Sequence, residues 1–349
     1  MNPEDKNCWD QYLEKIIHRR GGYSWTRFFR TFRQLLYNDS TVAIEMAKYL
    51  IHQKQGNTVF HCLTLLGMAT KYVSLISSKP LDLFSDNATQ DQENQLETAT
   101  LEAFLLTHSL EIKDVIKRRQ NSFTSSRRFI LSQLIMSHYF ARINLSANIL
   151  DIGTSIGILP MQLNNAIFYD LYINDLTWQN ANTAFLTIPI NRIYGLDYQV
   201  LPDIQWIASC HASSDYYQTR LCELLVDYQV CQRIHTSFEV DSLNIVDSNA
   251  LASYMRSRSI NAVVCNFVLY QYKTDIRNRI LECIFDNITS SGIFLNVEPT
   301  SNIEDVGCHV KIYVASERRF YAFAKISNSH FMGELTPGID YEDYMVKYF

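Results

Sequence analysis

The chain has 349 residues, of which 47% are hydrophobic and 19% are charged, and its 31 basic and 36 acidic side chains give a formal charge of −5. A chain of this length is longer than a single hydrophobic core usually supports, so we expect a main domain with a substantial second part. The composition excludes a disordered chain. The net negative charge disfavours nucleic acid and anionic membranes as partners, because both carry negative charge themselves.

The cysteines and the apolar segments indicate the compartment. The eight cysteines are scattered without a CxxC pair, which is typical of neither a zinc site nor a disulfide framework. The N-terminal sequence MNPEDKNCWDQYLEK lacks the apolar core of a signal peptide. The most apolar long stretch, 59–76, is interrupted by His61 and Lys71, which predicts a buried helix rather than a membrane span. We therefore expect reduced thiols and a cytoplasmic protein.

The N-terminal third shows helical periodicity. In WTRFFRTFRQLL, aromatic residues and leucines follow the i, i+3, i+4, i+7 spacing of an amphipathic helix, with arginines between them. Further amphipathic segments follow, and the polar stretch 84–98 predicts an exposed loop. We predict a helical domain over 1–115 and a connecting helix over 116–146.

The pattern changes after residue 147. Short runs rich in Ile, Val and Leu, each ending at an acidic or amide residue, alternate with longer helical patterns. This alternation predicts a parallel, doubly wound sheet over 147–349, with a ligand site outside the carboxyl ends of the strands. Near the end, HVKIYVASERRFYAFAKI predicts an antiparallel hairpin at one edge of the sheet, turning at 316–318.

The strongest local motif is ILDIGTSIG, which contains Asp151, Gly153, Ser155 and Gly157 and precedes a helical segment. A strand, a glycine-bearing turn and a helix start bring backbone N–H groups close to a ligand, because glycine has no Cβ to block the approach. Pro160 suits the first turn of the following helix, where its missing N–H costs nothing. The motif predicts a ligand-binding turn.

Polar residues close the later strands in a regular order, with Asp247 after one strand, Asn266 after the next and Glu298 after another. Together with the glycine turn, this order resembles the class I S-adenosylmethionine-dependent methyltransferases. The resemblance implies a Rossmann-like sheet and S-adenosylmethionine as cofactor. In that family the glycine turn surrounds the amino-carboxypropyl group, and acidic residues after the second and third strands bind the ribose hydroxyls and the adenine amine. Carried over by position, the cofactor residues are Asp151, Gly153, Ser155, Gly157, Asp197 and Asp247.

Two segments compete for the second strand. Asp175 lies in LYINDLT and Asp197 lies in RIYGLDY. A second resemblance favours Asp197: the segments YGLDYQVLPDIQWIASCHASSDYYQTRL and RRQNSFTSSRRF look like an uncharacterised bacterial methyltransferase-like family with an N-terminal helical region. The chain departs from that family in the loop before the first strand, where Arg127 is the residue retained, and from the wider superfamily at Ser155, where a glycine is common.

The residues after the fourth strand carry the expected chemistry. Methyl transfer from a sulfonium is an in-line displacement that needs alignment and exclusion of water, and a base only if the acceptor arrives protonated. Asn266 could accept a hydrogen bond from an amine or hydroxyl acceptor, and Tyr270 or Tyr272 could hold the sulfonium by cation–π contact. Alternatively, the two tyrosines pack at the start of a helix.

The sequence evidence for other kinds of catalytic site is weaker. The nine histidines show no metal-ligand spacing, so no metal is expected, although His211 or His235 could serve as a general base. GKS and GKT motifs do not occur in the sequence, which disfavours a P-loop nucleotide hydrolase.

The sequence therefore predicts a methyltransferase that acts on a small-molecule acceptor. We expect the helical region to be a lid, with the Tyr23 and Trp25 region as a wall; alternatively, it completes the core or mediates a homodimer. Two other functions stay open. One is an intramolecular cyclase that converts the same cofactor to azetidine-2-carboxylate and methylthioadenosine, and the other is a non-catalytic binding protein with the same fold.

Overall fold

The computed structural model describes residues 3–17, 25–78, 80–84, 95–178, 183–198, 202–234, 238–300, 307–328 and 331–349. They belong to two compact units. The helical unit comprises 1–123 and 202–222, and the sheet unit comprises 124–201 and 223–349. Residues 202–222 thus belong to the helical unit, whereas their position in the sequence suggested the 147–349 domain.

The helices are numbered in chain order. They are α1 (Pro3–Ile17), α2 (Thr26–Tyr37), α3 (Thr41–Gln53), α4 (Val59–Ile76), α5 (Gln95–Arg118), α6 (Phe129–Ile143), α7 (Ile158–Gln162), α8 (Ala166–Tyr172), α9 (Ile204–Cys210), α10 (Asp215–Ile234), α11 (Ser248–Ser257), α12 (Thr274–Asn287) and α13 (Tyr341–Tyr348). Two short 3-10 turns span Ile173–Asp175 and Leu269–Gln271.

The strands are also numbered in chain order. They are β1 (Ala147–Ile152), β2 (Leu176–Thr177), β3 (Ile190–Asp197), β4 (Glu239–Ser242), β5 (Ala262–Asn266), β6 (Ile293–Pro299), β7 (Cys308–Val314), β8 (Arg319–Ile326) and β9 (Gly333–Pro337).

The aromatic stripe of α2 is part of the core of the helical unit. Phe28, Phe29 and Phe32 are buried, because their helical spacing places them on one face. Trp25 is 2% exposed and packs against Gly67 of α4, where a Cβ would lie 3.2 Å from the indole ring. Trp25 is therefore a packing residue, and Tyr23, its expected companion in a wall, lies outside the described residues.

Helix α4 is buried as predicted, and its polar residues find partners. His61 Nε2 lies 2.8 Å from Gln120 Oε1, and Lys71 Nζ donates to the carbonyl of His211 at 2.7 Å. Burial lowers the pKa of His61 to about 4, so its ring is neutral at physiological pH. These bonds offset the cost of burying polar groups in an apolar helix.

By length and composition, α4 is the one described helix that could cross a membrane, and 72% of that stretch is buried inside the protein. Core helices pass the same test, so this is weak evidence for a span.

The nine strands of the described chain form one sheet in the order β2-β9-β8-β7-β6-β5-β1-β3-β4. The strands from β4 through β3, β1 and β5 to β6 are parallel, and β7, β8 and β9 continue the sheet in antiparallel fashion. The order of the parallel strands reverses at β1, which makes the carboxyl end of β1 a switch point where ligands bind in such sheets. The predicted doubly wound α/β fold with a C-terminal antiparallel hairpin is confirmed.

The structure differs from the expected strands in three places. The hairpin of β7 and β8 is not at the edge, because β9 and then β2 extend the sheet beyond it. Asp175 ends a 3-10 turn before β2, at the far edge from β3. The prediction that Asp247 closes the third strand is wrong: that strand is β4, Glu239–Ser242, and the apolar run after it forms a turn that buries Ile245.

We expect the helical unit to depend on the packing around α4. Leu63 is fully buried and Leu110, on α5, is 78% exposed. Leu63→Ala should lower the free energy of unfolding by about 2–5 kcal/mol, because it leaves a cavity. Leu110→Ala removes the same atoms from a solvated position and should change it by less than about 0.5 kcal/mol. Urea unfolding followed by circular dichroism measures both, and equal effects would contradict this packing.

Candidate functional site

The glycine turn after β1 is anchored to the end of β3. The N–H groups of Gly153 and Thr154 both donate to the carbonyl of Leu196, at 2.8 and 2.9 Å, and the N–H of Ser155 donates to Asp197 Oδ2 at 2.8 Å. The turn therefore lies against the neighbouring strand at the switch point of the sheet.

Both turn positions require glycine, because the backbone there is left-handed and neighbouring side chains leave no space for a Cβ. Gly153 and Gly157 have φ angles of +74° and +79°, in the left-handed region that favours glycine. A Cβ would lie 2.4 Å from Val268 Cγ2 at the first position and 2.4 Å from Phe238 Cζ at the second. The turn is thus shaped by the absence of side chains at two positions.

Ser155 stands where related turns often have a glycine. Its φ is +54°, a conformation that costs an L-residue about 1–2 kcal/mol. Its hydrogen bond to the Asp197 carboxylate is charge-assisted and offsets this cost. The substitution is therefore compatible with the turn.

Asp197 is the last residue of β3 and lies beside the end of β1. Its second oxygen, Oδ1, accepts from the N–H of Tyr198 at 2.7 Å. Burial raises the pKa of Asp197 to about 6, although these two hydrogen bonds oppose the shift.

Asp175 has a different environment. Its carboxylate accepts from Arg127 Nε at 2.6 Å, and Arg127 also pairs with Glu223 at 2.6 Å. The guanidinium of Arg127 lies 4.5 Å from the ring of Tyr172. Asp175 is therefore part of an ion-pair cluster, whereas Asp197 lies at the glycine turn.

Asp151 is the second acidic residue at this edge. It lies between β3 and β5, in register with Gly195 and Val264, and is 3% exposed. Burial, with a smaller contribution from the charge of Asp197, raises the pKa of Asp151 to about 7. Neither Asp151 nor Asp197 forms an ion pair with any residue that the structure describes. One buried and one partly buried carboxylate, neither with a counter-ion among the described residues, make this edge complementary to a cation.

Asp247 is exposed and caps helix α11. Its Oδ1 accepts from the N–H groups of Asn249 and Ala250, at 3.1 and 3.0 Å. Such a cap stabilises a helix start by about 1 kcal/mol. Its position after the third strand is the one expected for a cofactor residue, but its observed contacts are those of a cap.

Asn266 closes β5, and its side-chain amide is the least satisfied polar group of this edge. Both Oδ1 and Nδ2 are buried, and neither has a hydrogen-bond partner in the described part of the chain. Phe267, the next residue, has a φ of +58°, which is strained for a bulky side chain, and its N–H donates to Val297 O at 2.8 Å. Strained backbone and unsatisfied polar groups are concentrated at functional sites.

The two candidate tyrosines follow in the 3-10 turn and just after it. The N–H of Tyr270 donates to Glu298 Oε2 at 3.0 Å. Tyr272 is 8% exposed and packs in the core of the sheet unit. Burial raises the pKa of Tyr272 above its ordinary range, and the charges of Tyr198 and Asp197 add to the shift. Tyr272 therefore lies near Asp197, although mostly inside the core.

Glu298 and Phe267 received no role from the sequence. Their contacts join residues of neighbouring strands, so no local pattern identifies them. The one available signal was the acidic residue that closes β6 in the sequence VEP.

The histidines add no clear catalytic group. His211 is fully buried in the helical unit, with Nδ1 2.9 Å from the carbonyl of Ile207 and its ring 4.5 Å from that of Phe123. His235 lies outside the described residues. Within the described ranges, no group of three His, Cys, Asp or Glu residues is placed to hold a metal ion.

No family model matches the chain, and no curated protein matches it. The resemblance to an uncharacterised bacterial family therefore stays a prediction. Several solved structures are similar at low identity. PKMT2 from Rickettsia typhi, in complex with AdoHcy, is 18% identical over 50% of this chain and 25% of its own, with a TM-score of 0.25. This chain thus spans about a quarter of the length of that protein.

Two further structures are similar over more of their length. An O-methyltransferase family protein from Burkholderia thailandensis is 11% identical over 76% of this chain and 77% of its own, with a TM-score of 0.28. An O-methyltransferase family 2 protein from Planctomyces limnophilus, in complex with apigenin, is 11% identical over 86% of this chain and 78% of its own, with a TM-score of 0.24.

The raised carboxyl pKa values predict how stability depends on pH. Asp151, Asp197 and Glu298 bind protons more tightly in the folded chain than in the unfolded one, because burial raises their pKa values to about 7, 6 and 7. The contribution of these three carboxyls to the free energy of unfolding should therefore fall as pH rises from about 4 to 7, whereas the contribution of buried His61, whose pKa is lowered, rises over the same range. Asp151→Asn isolates the carboxyl contribution: relative to the wild type, the variant should gain stability as pH rises and be more stable by about 2 kcal/mol at pH 8.

Asp170→Asn is the matched control, because Asp170 is exposed on α8 and should leave the profile unchanged. Urea titrations at each pH measure the slopes. A stability difference between Asp151→Asn and the wild type that stays constant between pH 4 and 8 would contradict the raised pKa of Asp151.

Proposed function

We propose that the chain is an S-adenosylmethionine-dependent methyltransferase that acts on a small-molecule acceptor in the cytoplasm. The observation that carries the proposal is the pair of carboxylates of Asp151, which is buried, and Asp197, which is partly buried; they have no cationic partner among the described residues and flank a glycine turn at the switch point of the sheet. A ligand that offers an ammonium group and ribose hydroxyls satisfies both carboxylates, because each can then accept hydrogen bonds from donors on the ligand.

The residues present fit such a ligand. The turn that contains Gly153 and Gly157 would lie beside the amino-carboxypropyl group, and Asp151 lies in the strand that leads into this turn. Asp197 would hold the ribose hydroxyls, and the Asp247 carboxylate would receive the adenine amine while it caps α11. When bound, the cofactor supplies an electrophilic methyl group on a sulfonium.

Asn266 is the residue that we assign to the acceptor. Its Oδ1 can accept a hydrogen bond from an amine or hydroxyl, and its Nδ2 can donate one, since neither atom is used within the described chain. An acceptor oriented in this way has its lone pair directed for in-line attack. Tyr270 and Tyr272 would stabilise the positive charge by cation–π contact. The role of the helical unit as a lid and the formation of a homodimer stay predictions.

Cofactor binding distinguishes the two acidic residues that competed for the second strand. Asp197→Ala should weaken binding of S-adenosylmethionine at least about tenfold, which corresponds to about 1.4 kcal/mol. Asp175→Ala is the matched control and should leave the affinity within about twofold, because Asp175 pairs with Arg127 outside the turn. Isothermal titration calorimetry measures both. Absence of binding by the wild-type protein would reject every function based on this cofactor.

Asn266 should show opposite effects on stability and activity. Asn266→Leu removes two buried, unsatisfied polar atoms and should raise the free energy of unfolding by about 1–2 kcal/mol. The same change should lower kcat at least about tenfold while the cofactor affinity stays constant. Thermal unfolding, calorimetry and turnover together test this. A destabilised variant with full activity would contradict the assigned role.

The products separate methyl transfer from the alternatives. Methyl transfer yields S-adenosylhomocysteine and depends on an added acceptor. The intramolecular cyclase would release methylthioadenosine without one, and a non-catalytic protein would bind the cofactor and return it unchanged. Mass spectrometry of the nucleoside product, with a panel of small amines and alcohols as acceptors, decides among the three.

A further inference from the structure

Glu298 joins the end of β6 to the segment that follows β5. Its Oε1 accepts from the N–H of Leu269 at 2.9 Å, and its Oε2 accepts from the N–H of Tyr270 at 3.0 Å. Each carboxylate oxygen thus serves one backbone donor at the start of the 3-10 turn. Such orphan donors at a helix start need an acceptor, and a carboxylate is the strongest one that a side chain provides.

The same segment is held by β6 at a second point. The N–H of Phe267 donates to the carbonyl of Val297 at 2.8 Å, and Gln271 Nε2 donates to the carbonyl of Phe267 at 3.0 Å. Phe267 itself has a left-handed backbone, which costs conformational energy. A strained segment keeps its conformation only when several contacts with its surroundings hold it in place. The Glu298 carboxylate contributes two of these hydrogen bonds.

We propose that Glu298 is a positioning residue, which fixes Asn266 for the acceptor and Tyr270 for the sulfonium by binding the backbone N–H groups of Leu269 and Tyr270 with its two carboxylate oxygens. This inference rests on the proposed function, because Asn266 and Tyr270 are the residues assigned to the reaction. The two hydrogen bonds themselves do not depend on it.

The surroundings of Glu298 make this device sensitive to pH. The carboxylate is partly buried, and the N–H groups of Leu269, Tyr270 and Val268 favour its charged form, as does the positive charge of Arg277 on α12. The thiols facing it are those of β5 and β7, Cys265 and Cys308. Burial outweighs the favourable groups and raises the pKa of Glu298 to about 7. Protonation near neutrality weakens one of the two acceptors and loosens the turn.

Hydrogen–deuterium exchange of the ligand-free protein tests the contact directly. Glu298→Gln keeps one carbonyl oxygen but sets its NH2 group against the second backbone N–H, so one bond is lost. The amide that loses its acceptor, that of Leu269 or Tyr270, should exchange at least about tenfold faster than in the wild type. Glu334→Gln is the matched control, because Glu334 is exposed on β9. Equal protection of the two amides in Glu298→Gln and wild type would overturn the proposal.

The wild-type protein provides a second test that needs no variant. After correction for intrinsic rates, exchange at Leu269 and Tyr270 should increase as pH is lowered from 8 to 6, while amides of the β5 core stay protected. The reverse trend would overturn the pH sensitivity of the contact.

The activity readout separates positioning from simple destabilisation. Glu298→Gln should lower kcat at least about tenfold with the cofactor affinity unchanged, and it should remove the limb of the pH profile of kcat below pH 7. Unchanged kcat together with faster exchange would overturn the positioning role. If the protein lacks methyltransferase activity, the proposed function fails, whereas the exchange measurements still decide whether Glu298 holds the turn.

Discussion

The attachment of the glycine turn to the end of β3 is the constraint on which the site depends. Gly153, Thr154 and Ser155 turn their N–H groups toward Leu196 and Asp197, so the first loop of the sheet is built on its neighbouring strand. The order of the parallel strands reverses at β1, so the turn lies at the switch point of the sheet. The acidic end of β3 therefore has two roles at once, since it both holds the turn and supplies negative charge to this edge.

The polar groups of this edge are arranged at a cost to the free protein. Three features each destabilise the fold: carboxylates without a counter-ion and an amide without hydrogen-bond partners among the described residues, and a bulky residue in the left-handed region. The sheet beneath them is apolar and continuous, and its buried strands provide the stability that the edge lacks. This distribution, with a stable scaffold and a strained rim, is typical of sites that bind a ligand rather than of edges that only connect strands.

The features that the sequence identified were those with a local signature. The glycine turn, the strand that ends at Asp197 and the helical packing of Trp25 and its neighbours follow from spacing and residue type. Asp247 was wrongly predicted to end a strand. The strand that pairs with β3 is the polar segment β4, whereas the apolar run after β4 has the composition of a strand but does not pair in the sheet. The contacts of Glu298 could not be found, since they join residues far apart in the chain through the register of β5 and β6.

The discontinuity of the helical unit restricts how the protein can be divided. The chain enters the sheet unit after residue 123, returns to the helical unit for 202–222 and then leaves it again. Trp206 of α9 is fully buried there, with its indole N–H 3.0 Å from Gln120 O and its ring 5.7 Å from that of Tyr72. Removal of the first 123 residues would leave this indole attached to the remaining protein without its packing partners. The helical unit is therefore not a detachable terminal module, and gain or loss of this unit in evolution requires two coordinated changes in the gene.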